Sequence, residues 1–100
     1  MSELVVQFTG ILCEYQGEAP WVFITLLAED AEEVRDRVPE RAGFGSVNVN
    51  AVISESRWQT SVFPDKGSGS FVLPVKRAIR EQEDLAPGDI ARVTLHIDVE

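Results

Sequence analysis

The chain has 100 residues, 44% hydrophobic and 26% charged, a composition that fits one folded domain and sets it apart from disordered chains. Seventeen acidic residues against nine Lys and Arg leave a net charge of −8, which argues against a surface built to hold polyanions. No apolar run approaches the roughly 18 residues of a membrane span. The sequence opens MSELVVQ rather than with a basic-then-apolar leader, and its single cysteine, Cys13, excludes an internal disulfide or a multi-cysteine zinc site. These features predict a cytoplasmic protein with no membrane contact.

Leu4, Val6 and Phe8 alternate, so residues 3–9 read as a strand. Ile11, Cys13 and Tyr15 alternate in the opposite phase, which makes Gly10 a bulge or bend in one long strand and Cys13 a small core residue. Residues 16–20 form a turn. Trp21 to Leu27 is apolar at nearly every position, as in a strand covered on both faces, and Trp21 reads as core. Leu27, Ala31, Val34 and Val38 then make a helical stripe over 28–38, with acids at its start and Arg35 and Arg37 at its end to complement the helix dipole. Pro39 stops that helix, and Gly43 and Gly45 follow in a loop.

Val47, Val49, Ala51 and Ile53 give the cleanest strand, alternating with Asn48 and Asn50. Arg57 to Phe63 is another, with Trp58, Thr60 and Val62 on one face. Residues 64–69 form a loop and Ser70–Leu73 a return strand. Pro74 suits the first turn of a short helix that ends near Gln82 and buries Val75, Ala78 and Ile79. Ala86-Pro87-Gly88-Asp89 has type II turn chemistry, with Gly88 at the positive-φ position. The last strand turns Ala91, Val93, Leu95, Ile97 and Val99 to one side. Strand, helix, glycine turn and strand recur in the two halves. The expected fold is mainly β with two short helices, a closed double-split β-barrel with a pseudo-twofold internal repeat, as a single domain over residues 1–100.

Three stretches carry a family resemblance: Arg57-Trp58-Gln59-Thr60-Ser61-Val62-Phe63-Pro64, Gly69 to Arg80, and Leu85-Ala86-Pro87-Gly88-Asp89-Ile90-Ala91-Arg92-Val93. With Phe8-x-Gly10 and Trp21-x-Phe23, they resemble the small prokaryotic domain-of-unknown-function family DUF1905 over nearly the whole chain. The resemblance implies a double-split barrel and no particular activity. The segment from Leu73 to Asp89 is also similar to swapped-hairpin DNA-binding proteins of the AbrB and MazE type. Charge separates the chain from them. Residues 1–56 hold ten acids and three bases, and residues 57–100 seven and six, so neither half is basic.

The candidate ligand-binding residues are Trp58, Lys66, Lys76 and Arg80. Lys76 and Arg80 share a helix face at i,i+4 and, with Lys66, outline an anion pocket. In the competing structural reading Arg80 pairs with Asp89 at the turn that Gly88 shapes, the lysines are solvated, and Trp58 fills the core. His96 reads as a surface residue with no metal ligands at suitable spacing, and no nucleophile–base–orienter set is visible. No catalytic residue, metal or cofactor is predicted. The expected function is a non-enzymatic barrel that binds a small ligand or a protein, as a monomer or weak homodimer. The alternatives are an AbrB-like nucleic-acid-binding regulator, disfavoured by the charge, and an enzyme.

Overall fold

The computed structural model describes residues 2–18, 20–38 and 45–99. Six strands and two helices follow in the order β1 (Ser2–Glu14), β2 (Val22–Thr25), α1 (Ala28–Arg37), β3 (Val47–Ile53), β4 (Ser56–Asp65), β5 (Ser70–Pro74), α2 (Arg77–Glu83) and β6 (Ile90–Val99). The strands close into an antiparallel barrel in the order β1-β2-β5-β4-β3-β6. Exchanging β1, β2 and β3 with β4, β5 and β6 leaves this cyclic order unchanged.

Alternation sets the interior. Leu4, Val6, Phe8 and Leu12 of β1, the odd positions of β3 from Val47 to Ile53, and Ala91 to Val99 of β6 all join one buried cluster. The helices cover opposite ends of the barrel. Helix α1 lies where β4 passes into β5: Arg35 donates to the Gly69 carbonyl at 3.1 Å and its guanidinium sits 5.8 Å from the Phe71 ring centre. Helix α2 lies at the start of β4, where the Ser56 hydroxyl donates to Glu83 at 2.6 Å. Ala31 and Val34 of α1 and Ile79 of α2 complete the core.

Several expectations need correction. There is no phase slip at Gly10: β1 runs on in register with β6 through Gly10–Ala91 and Ile11–Ile90, and Leu12 is buried. Cys13 is therefore exposed rather than part of the core. Glycine stands at position 10 because a Cβ there would lie 2.5 Å from Ile24 Cγ2. Trp21 is not core but 37% exposed, with its ring 4.8 Å from Phe23 and 6.2 Å from Tyr15. Leu27, at the head of the α1 stripe, is also exposed. Pro74 ends β5 opposite Phe23 instead of opening α2, and Ala78 faces solvent. Pro39 and Gly43 lie outside the described residues.

Candidate ligand-binding groove

The residues singled out in the sequence do not assemble. Trp58 is buried in the core cluster, opposite Ala51. Lys66 occupies the turn before β5 and Lys76 follows its far end, so a whole strand separates them. Arg80 does not pair with Asp89. Its Nε donates to the Val75 carbonyl at 3.0 Å and ties α2 back to the end of β5. Asp89 instead accepts the Ala86 amide at 2.9 Å while its own amide donates to the Ala86 carbonyl. These bonds, with Gly88 at φ 96°, close the turn from within.

A different set of side chains converges on the outside of the barrel. In β3, β4 and β6 the positions that alternate with the core point outward. Pairing aligns them in rows: Gln59 stands opposite Asn50, Asn50 opposite His96, and Ser61 opposite Asn48. Asp98 lies two residues beyond His96 on the same face. These residues line an open groove of about 820 Å³, with Val38, Ser46 and Phe63 at its α1 end. The β3–β6 ladder extends only from Asn50 to Val52, although both strands continue, so the groove lies over the part of the seam that is not paired.

Within the groove the Ser61 hydroxyl donates to Asn48 Oδ1 at 2.9 Å. His96 Nδ1 lies 3.2 Å from Glu3 Oε1, which orients the ring from the neighbouring strand. Asn50, Gln59 and Asp98 make no side-chain hydrogen bond to any described residue. Among the described residues no Lys or Arg lines the groove. Among the described residues there is no group of three His, Cys, Asp or Glu able to hold a metal ion. The sequence showed Asn48 and Asn50 only as the polar side of a strand and His96 as a surface residue. What it lacked was the register between β3 and β6, which are separated by two strands and a helix.

No helix among the described residues is long and apolar enough to cross a membrane. No curated protein matches the chain. The model of a domain of unknown function, DUF1905, matches residues 8–95, from within β1 to within β6. That match covers nearly the whole barrel, and the chain belongs to the DUF1905 family.

Proposed function

We propose that the chain is a non-enzymatic binding module that seats a small polar ligand in the groove over β3, β4 and β6. The observation that carries this is the convergence of Asn48, Asn50, Gln59, Ser61, His96 and Asp98 on one face with part of their hydrogen-bonding capacity unused. The absence of Lys and Arg from the described lining argues against phosphates and nucleic acid there. The His96–Glu3 pair is half of a catalytic set, but no Ser, Thr or Cys hydrogen bonds to His96 among the described residues.

A thermal-shift screen of polar metabolites tests the reading. A ligand at 100 times its dissociation constant adds about 2.7 kcal/mol to stability. Hits should vanish in Asn50→Trp, which fills the groove from an exposed strand position, and persist in Lys76→Ala. Hits that persist in Asn50→Trp and vanish in Lys76→Ala or Arg80→Ala would return the site to α2 and overturn the proposal.

A further inference from the structure

Resting on the groove as the binding site, we infer that its ligand class is a neutral saccharide. The first argument is hydrogen-bond capacity. Asn48 already spends its carbonyl oxygen on Ser61, so its amide nitrogen is left as a donor. The side chains of Asn50 and Gln59 hydrogen bond to no described residue and offer both donors and acceptors. Asp98 only accepts. A ligand that fits must accept from three amide groups and donate to a carboxylate at the same time. Hydroxyl groups do both. A polyamine only donates and leaves the amide N–H groups unmatched.

Charge excludes the other side. Asp98 lines the groove, and Glu3 holds His96 from outside it. Among the described residues no Lys or Arg lines the groove, and Arg57 stands beyond Gln59 in the adjoining pocket with Glu3. A carboxylate or phosphate seated in the groove therefore meets the Asp98 carboxylate with no described cation lining it.

Shape narrows the choice further. Adjacent strands lie about 4.8 Å apart and same-face residues on one strand about 7 Å apart. Ser61 and Asn48 with Gln59 and Asn50 therefore form a paired patch about 5 Å by 7 Å, with His96 one strand beyond Asn50 and Asp98 across the unpaired seam, that meets its ligand face-on. A nucleobase presents polar groups only along its edge. A pyranose presents hydroxyls around its whole perimeter and apolar C–H groups on its face. Phe63, 40% exposed at the end of the groove beside Val38, supplies the ring on which that apolar face packs.

Amide-resolved NMR titration of the ¹⁵N-labelled chain decides it. The saccharide probes are maltotriose, cellotriose and chitotriose, and the class controls are spermidine, uridine and glutamate. At least one saccharide should shift the amides of Asn48, Asn50, Gln59 and His96. Phe63→Ala and Gln59→Ala, both at exposed positions, should each weaken that binding at least tenfold while keeping the dispersed spectrum of the folded barrel. Groove shifts with a control and none with any saccharide overturn the saccharide inference and leave the groove standing. Groove residues that respond to nothing overturn the inference as well. If hits from the thermal screen also survive Asn50→Trp, the groove itself is overturned.

Discussion

Gly10 occupies the point at which β1 leaves β6 and takes up β2: Ile11 is the last residue paired with β6 and Leu12 the first paired with β2. Ile24, fully buried and β-branched, has no room to yield to a new Cβ at 2.5 Å. Gly10→Ala should lower the urea midpoint by the equivalent of about 1–3 kcal/mol with no change in slope; a neutral result would mean that β1 is free to shift there. Arg80 and Asp89 act separately, one on the Val75 carbonyl and the other on the Ala86 amide. Arg80→Ala and Asp89→Ala should each cost about 1–2 kcal/mol. In the double mutant the losses should add to within about 0.5 kcal/mol. Strong coupling in the urea-denaturation cycle would reinstate an ion pair between them.

At the scale of elements, α1 opens with a conflict. Asp30 lies in the first turn, where a negative charge favours the helix dipole, yet its Oδ2 is buried with no hydrogen-bond partner. Burial, and then the neighbouring Glu29 and Glu33, push its pKa above the ordinary 3.8. The folded state therefore holds that proton more tightly than the unfolded state. Stability from this group is full below pH 3.8 and is lost as pH rises through the raised value. Asp30→Asn should raise the Tm at pH 7, by an amount worth a few tenths of a kcal/mol given solvent screening, and make no difference near pH 3. A Tm that falls at pH 7 would show that the helix dipole outweighs burial. Asp65 behaves in the opposite sense. The Ser68 hydroxyl and amide donate to its carboxylate and hold its pKa below 3.8. How legible these elements were depends on the range of their causes. The alternation of Val47 to Ile53 and Ala91 to Val99 is local, and those strands lie where it puts them. The inward phase of β1 past Gly10 follows its continuous register with β6, some eighty positions away, and local pattern misled there. The groove was the least legible part. Asn50 meets His96 only through a pairing between distant strands, and nothing near either residue announces it. The four candidates chosen from sequence were visible as residue types, but burial took Trp58 and the length of β5 parted Lys66 from Lys76.

For the whole molecule, the net charge of −8 and a groove with no Lys or Arg among its described lining residues both bear on nucleic acid. Counterion release needs several Lys or Arg on one face, and a chain this acidic repels the duplex at long range. Mobility shift at about 0.15 M salt should show no retardation of random or genomic DNA at micromolar protein; salt-sensitive submicromolar binding would defeat the charge argument. The closed ring of strands has one more consequence. Ser2 stands opposite Val99, and its hydroxyl donates to the Val99 carbonyl at 3.2 Å. The strands at the two ends of the described chain are thus neighbours in the wall, and order of synthesis is separable from order in space. A circular permutant that joins Val99 to Ser2 through a short Gly/Ser turn and opens between Ser54 and Glu55 starts at β4 and finishes at β3. Its strands then follow the parent's own pattern with the halves exchanged, because the ring reads the same after that exchange. The permutant should fold to a barrel with the parent's NMR fingerprint, at some cost from the lost hairpin turn. A molten or unfolded product would mean that the β3–β4 hairpin must form as one continuous piece for the ring to close.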